Sequence, residues 1–412
     1  MKLESCAAFI SLIVILISSF AAAENSSLIT AIDISGNTKT KNSVILRIIE
    51  VKAGDVYTEG LERNVERLLL NSRMFYNIKV EAERAGEGAR LKIRLKDKWS
   101  VIPFPFASFR ENESRYGISL TESNLLGYHK RISATIFREK NKFSEMLFYH
   151  DKNVLGSKFR LFISLKNIKT LVDERDKKQK INSYYESSRG IDTGLGYNFY
   201  RNMTLSIIHK YNKLAYSDSD DTVRRPENAK EGMLGLSLDV DEADYKEDFV
   251  KGFTGRLLYE KDFESLGSDL SRKIFSWRFS YYLNPVLRHN LVFMNSGMFG
   301  DNLTYGHRFR IEQLRGYERG RFQADRAVVS AIEYIVPVHS FKEARLSFVT
   351  FADNAIFRNE YQSFSVSDSK SDAGVSVRIY VRRVLIPVFQ VYLAYGFSNQ
   401  KVMPGISIGM AF

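Results

Sequence analysis

From Trp99 to its end the chain is written in steps of two residues. Phe159, Leu161, Ile163 and Leu165 alternate with Lys158, Arg160, Phe162 and Ser164; Phe275, Trp277, Phe279, Tyr281 and Leu283 alternate with Ser276, Arg278, Ser280 and Tyr282; Val375, Val377, Ile379 and Val381 alternate with Gly374, Ser376, Arg378 and Tyr380. One face is apolar and often aromatic, the other small, polar or basic, which is the period of a strand. About sixteen such segments are expected, near 99–109, 115–122, 130–138, 144–150, 157–166, 188–198, 202–212, 231–241, 250–260, 272–284, 288–298, 326–337, 344–353, 372–382, 386–396 and 402–412. In a soluble sandwich the apolar faces would meet in a core. In a membrane barrel they face lipid, and the polar faces line a wet lumen.

The connections separate these two cases. Even-numbered ones are mostly tight, as at Leu126-Gly127 and Asn284-Pro285, while the long ones, around 167–187, 213–230, 299–325 and 354–371, all fall at odd-numbered positions. A barrel with short turns on one side of a membrane and long loops on the other has this asymmetry. An even strand count also lets an antiparallel sheet close, leaving no edge for lipid to face. The expected fold is therefore a 16-stranded antiparallel transmembrane β-barrel over 98–412.

Before the barrel the period changes to that of a small α+β unit over 25–97. Leu28–Ile34 reads as a strand, and Thr40 as the cap of a helix over 41–50. Thr58 reads as the cap of a second helix, with Leu61, Val65, Leu68 and Leu69 on one face. Strands follow near Tyr76–Glu83 and Ala89–Asp97. Residues 1–23 read as a secretory signal peptide: Lys2, an apolar run from Ala7 to Phe20, then Ala21-Ala22-Ala23. Cys6, the only cysteine, lies inside it, so the exported chain would carry no disulfide or thiol chemistry.

Lys and Arg number 60 against 48 Asp and Glu, a net charge of +12. Export removes nucleic acid as a partner, and the excess suits lumen lining and the phosphates of outer-membrane lipid and lipopolysaccharide. His129, His150, His209, His289, His307 and His339 have no ligand spacing, so neither a metal nor another cofactor is expected. Gly405-Ile406-Ser407-Ile408-Gly409 spells G-x-S-x-G, but in the last strand, where no strand-turn-helix with a following Asp and His exists. No enzyme is expected.

Several stretches resemble a known family. Residues 32–83, with Gly36-Asn37 after the first strand, Gly54-Asp55 between the helices and Phe75 before the second strand, resemble one POTRA domain. The run from Ile406 to Phe412 resembles the C-terminal insertion signal of outer-membrane barrels. Gln313-Leu314-Arg315-Gly316-Tyr317 resembles the arginine-glycine-aromatic signature of the BamA/TamA-type assembly factors, or bacterial surface antigens. The resemblance implies that a long outer loop folds into the barrel and that Arg315 pairs with acids of the inner wall, carried over as Glu333 and Asp353. Asn354-Ala355 stand where the family often has glycine. Alternation supports the inward placement, because either acid on the lipid face would cost about 2–4 kcal/mol.

The same resemblance implies a periplasmic POTRA domain that takes client segments by strand addition along Asn77, Ile78, Lys79 and Val80, toward Glu83. It also implies a weak seam between the first and last barrel strands. Pro103 and Pro105 lie two apart, so their missing N–H groups fall on one side, expected to face 402–412 and Phe412. The function implied is assembly or translocation of other outer-membrane polypeptides, with periplasmic or inner-membrane accessory proteins among its partners. The rivals are a two-partner secretion transporter, against which stand one POTRA domain and no plug helix, and a pore or structural barrel without assembly activity.

Overall fold

The computed structural model describes residues 27–85, 88–110, 113–139, 142–176, 179–200, 202–246, 249–318, 321–358, 369–381, 383 and 388–408. The expected signal peptide and Phe412 lie outside the described residues.

The N-terminal unit runs β1 (Ile29–Ser35), α1 (Asn42–Ile49), α2 (Leu61–Asn71), β2 (Phe75–Ala85) and β3 (Gly88–Asp97). Its sheet has the order β1-β3-β2, with β1 parallel and β2 antiparallel to β3. Val65 and Leu69, one helical turn apart on α2, meet Ile45 and Ile49 of α1 over Leu91, Ile93 and Leu95 of β3. Neither threonine cap forms. Lys41 holds the α1 N-cap position, while Thr40 is buried and its hydroxyl bonds Asp97. The α2 N-cap is Gly60 at φ 84, and Thr58 contributes only its carbonyl, to the Leu61 N–H. A cap side chain needs its hydroxyl free for the helix amides, and Thr40 has given its own to the domain junction.

A single 16-stranded antiparallel sheet follows. Its strands are β4 (Val101–Arg110), β5 (Glu113–Leu125), β6 (Lys130–Glu139), β7 (Lys142–Asp151), β8 (Phe159–Asp176), β9 (Gln179–Tyr200), β10 (Met203–Asp218), β11 (Ala229–Tyr245), β12 (Val250–Asp262), β13 (Lys273–Leu283) and β14 (Asn290–Asp301). A two-strand finger, β15 (Phe309–Arg310) and β16 (Gln323–Ala324), interrupts it before β17 (Arg326–Ser340), β18 (Ala344–Arg358), β19 (Lys370–Val381), β20 (Val388–Gly396) and β21 (Lys401–Ile408). The faces separate as alternation predicts. On β10, Leu205 and Ile207 are exposed while Thr204 and Ile208 are buried; on β19, Val375, Val377 and Ile379 are exposed while Ser376 and Arg378 are buried. Among the described residues no helix is long and apolar enough to cross a membrane.

One expected loop is largely strand, and a second is shortened by strand at both ends. Residues 167–187 continue β8 and β9 as a paired ladder down to Asp176↔Gln179, and 213–230 extend β10 to Asp218, with β11 starting at Ala229. Apolar alternation stops where lipid stops. The backbone ladder has no such reason to stop, because its donors and acceptors still need partners.

The small domain sits against the short-turn end of the barrel. The Lys41 N–H donates to the Gly127 carbonyl at 3.1 Å, and Asn124 Nδ2 to Thr40 Oγ1 at 2.8 Å. Farther round the rim, Arg67 Nη1 and Asn71 Nδ2 donate to Asp244 Oδ1 at 2.9 and 2.8 Å, and the Tyr245 N–H to Asn71 Oδ1 at 2.8 Å. The strand order begins at β4 and ends at β21, and among the described residues no ladder joins these two.

Candidate functional site

The site forms where the β14–β17 connection turns back into the barrel. Phe309↔Ala324 and Arg310↔Gln323 close the base of a finger, whose tip carries Leu314, Arg315, Gly316 and Tyr317. Apolar packing holds it down. Ile311, Leu314, Tyr317 and Ala324 bury against Ala327 and Val329 of β17 and Ala355 and Phe357 of β18. The finger has only two ladder pairings among the described residues, so it relies on this apolar contact with the inner wall together with the tip's polar contacts.

Arg315 projects from the tip and is 7% exposed; Glu333 and Asp353 are each 2% exposed. Its Nε and Nη2 donate to Asp353 Oδ2 and Oδ1 at 2.8 and 2.7 Å, a bidentate fork, and Nη1 donates to Glu333 Oε1 at 2.7 Å. The guanidinium carbon also lies 3.5 Å from the centre of the Phe351 ring. The acids sit on neighbouring strands, since Glu333 pairs with Phe351 and Asp353 with Ala331 across the β17–β18 ladder. Lysine offers one point charge and could not bridge them in this way.

Three residues of the site escaped the sequence reading, two on the wall and one in a turn. Arg378 of β19, 1% exposed, donates from Nη2 to both Glu333 oxygens at 3.1 Å and to Gln390 Oε1 at 3.1 Å. Asp372 is fully buried and stands directly opposite Asp353 in the β18–β19 register. The cluster thus sets Arg315 and Arg378 against Glu333, Asp353 and Asp372. Both were within reach of the pattern: Asp372 and Arg378 share the inward face of β19 with Gly374 and Ser376. Asn399 had no such signal, because it acts from a turn.

Gly316 and Tyr317 extend the clasp to the other end of the sheet. A Cβ on Gly316 would lie 2.6 Å from Asp372 Cβ and 2.8 Å from the Gly396 nitrogen, so only glycine lets the tip sit this close. Asn399 Nδ2 donates to the Gly316 carbonyl at 3.1 Å. Tyr317 Oη donates to the Ser371 carbonyl and accepts from the Ser398 N–H, both at 3.1 Å. The loop tip is thereby tied to the β20–β21 hairpin, whose second strand ends the sheet. Gly316→Ala is expected to unseat the tip while leaving the barrel folded: the loop should become protease-sensitive in detergent, with cleavage at least about tenfold faster than in the parent chain.

The other expected site residues lie apart from this cluster. Pro103 and Pro105 sit inside β4, opposite Leu120 and Ile118 of β5. β2 is an edge strand of the small sheet, but Asn77, at φ 52, and Ile78 occupy a bulge between the Tyr76 and Lys79 pairings. Ile78 and Val80 pack on the domain core, and Asn77 lines a cavity toward the barrel, so the straight edge begins at Lys79. Ser407 pairs with Gln390 within β21, in a strand rather than at an elbow.

The chain matches two family models. One, described as the Omp85 superfamily domain, covers residues 84–410; the other, POTRA, described as the surface antigen variable number repeat, covers 28–98. Outer membrane protein assembly factor BamA of Neorickettsia risticii is 22% identical over 314 residues, 70% of this chain. The chain spans about 40% of the length of that relative. CdiB from Acinetobacter baumannii superposes with a TM-score of 0.62 at 14% identity, covering 94% of this chain and 74% of the other. BamA from Haemophilus ducreyi lacking POTRA domains 1–3 superposes at 0.54 and 13%, covering 93% and 83%. Both superpositions reflect a shared fold.

Proposed function

The chain belongs to the Omp85 superfamily, outer-membrane β-barrels with periplasmic POTRA domains, and on that premise we propose that it assists the insertion or translocation of other outer-membrane polypeptides at the seam between β4 and β21. The observation that carries this reading is the strand order itself: the ladder runs from β4 through every neighbour to β21, and among the described residues no pairing joins the two ends. An unpaired strand edge in a bilayer is costly, so it offers its backbone to an incoming strand. The prolines favour the same side. The β4–β5 register passes through Pro103 and Pro105 without a shift. Two missing donors are best tolerated where they point away from that ladder, toward the seam.

In this mechanism no bond is made or broken. The weak seam disturbs the lipid around it and lends backbone to the client, and the Lys79–Glu83 edge of β2 holds an extended client segment beforehand by strand addition. Lipid and lipopolysaccharide are the medium, client polypeptides the substrates, and accessory proteins of the periplasm or inner membrane the helpers. Depletion of the protein, followed by a census of outer-membrane proteins, tests the reading. Loss of other barrels from the membrane is the expected result. An unchanged census with lost conductance would make the chain a pore, and loss of a single secreted partner would make it a dedicated secretion transporter.

A further inference from the structure

A cavity of about 1030 Å³ occupies the periplasmic half of the lumen, and its lining joins the two domains. The small domain contributes Arg73, Tyr76 and Asn77, and the barrel wall contributes Lys152, Arg160 and Arg278. The cations are not matched by acids. Arg160 Nε is buried and makes no hydrogen bond among the described residues. Arg278 stands directly opposite Arg256 in the β12–β13 register, and Asp239 is already held by Arg256 at 3.6 Å. Like charges face to face across a ladder destabilise it. Asp241 faces Arg73, Lys152 and Arg160 together, and Asp239, shared with Arg256, also faces Arg160, so two acids stand among these five cations of the lining. Lys152, in the β7–β8 turn, keeps its side chain exposed to the chamber, and the surrounding protein, then Arg160, Arg131 and Arg73, hold its ammonium below the usual lysine range.

Arg73 holds a further sign of purpose. Its backbone is left-handed at φ 61, a region that a long side chain enters at a cost, and its guanidinium stacks 3.6 Å from the centre of the Tyr245 ring. The stacking fixes the cation at the domain junction without neutralising it. Chamber, converging cations and shortage of acid together describe a vacancy for negative charge.

We propose that this chamber is a binding site for a compact, multiply charged phosphate ligand, held by Arg73 of the POTRA domain together with Lys152 and Arg160 of the barrel. Guanidinium forks suit phosphate oxygens, and a ligand of more than one charge answers several cations at once. An extended acidic peptide fits less well. Peptides are captured through unpaired backbone, and the chamber's walls from β8 to β14 have their backbone committed to ladders. Because Arg73 comes from one domain and its companions from the other, the anion clamps the POTRA domain to the barrel floor. This inference does not depend on the assembly reading.

The test uses the full-length protein in nanodiscs, with inorganic pyrophosphate as the probe and calorimetry as the readout. Saturable binding is expected, weakened at least about tenfold in Lys152→Ala/Arg160→Ala. Pyrophosphate should raise the melting temperature of the parent and leave that of the double variant unmoved. The variant sheds repelling charge, so it should fold at least as well as the parent without pyrophosphate. Binding in phosphatidylcholine discs that is competed away in phosphatidylglycerol discs would assign the site to a lipid headgroup; equal binding in both would assign it to a free phosphate compound. A signal that does not saturate, or that the double variant retains in full, would overturn the site.

Discussion

Replacing Arg315 with alanine should free the loop from the inner wall, at a cost of about 3–5 kcal/mol, the usual consequence of removing one partner from a buried ion pair. The loss comes less from the missing bonds than from what they leave behind. Glu333 keeps Arg378, but Asp353 loses both of its fork bonds while buried opposite Asp372. The unboiled protein should therefore lose its compact gel mobility at a lower temperature than the parent, and the finger should be cut by protease. Arg315→Lys should recover only part of this, since an ammonium serves one carboxylate and forfeits the Phe351 stacking. A second change gives the sharper outcome. In Arg315→Ala/Asp353→Ala the stranded carboxylate is gone, so the double variant should be more heat-resistant than Arg315→Ala alone. If it is worse, the stranded Asp353 charge is not what destabilises the loop in Arg315→Ala.

The second large effect concerns the seam. A disulfide between one cysteine in Val101–Phe106 and one in Lys401–Ile406, chosen so that the Cα atoms lie about 4.4–6.8 Å apart, should abolish client assembly almost completely, and reductant should restore it. The loop clasp belongs to the same prediction. Through Asn399 and Tyr317 it holds the hairpin that carries β21, so opening the seam and loosening the tip should occur together. Assembly at an undiminished rate with the disulfide fully formed would remove the seam from the mechanism.

How far the sequence could be read depended on which force placed each residue. Lipid sorts side chains by face, and that sorting marked the barrel and put Glu333 and Asp353 on the inner wall. The loop arginine was legible because an arginine-glycine-aromatic run in a long loop resembles a family signature. Backbone pairing leaves no such trace. The ladders at 167–176 and 179–187 run through polar residues outside the membrane, where alternation no longer reports a strand. Thr40 failed as a cap for a related reason: a threonine before a helix looks the same whether its hydroxyl turns to the helix or to Asp97 and Asn124. Arg378 and Asp372 were visible as inward positions, but their partners are a strand or more away, and alternation does not say which inward charges meet. The cations around Lys152 converge from two domains, a proximity that exists only after folding.

The account rests on the loop tip being inside the barrel. A membrane-impermeant maleimide applied to intact cells measures this directly, because the sequence's only cysteine, Cys6, falls in the expected signal peptide. Leu314 is 3% exposed at the tip, whereas Val223 is 79% exposed in the β10–β11 loop on the same side of the barrel. Leu314→Cys should label at least about tenfold more slowly than Val223→Cys, and adding Arg315→Ala should bring the two rates together. Equal labelling with Arg315 in place would put the tip in open solvent and contradict the account.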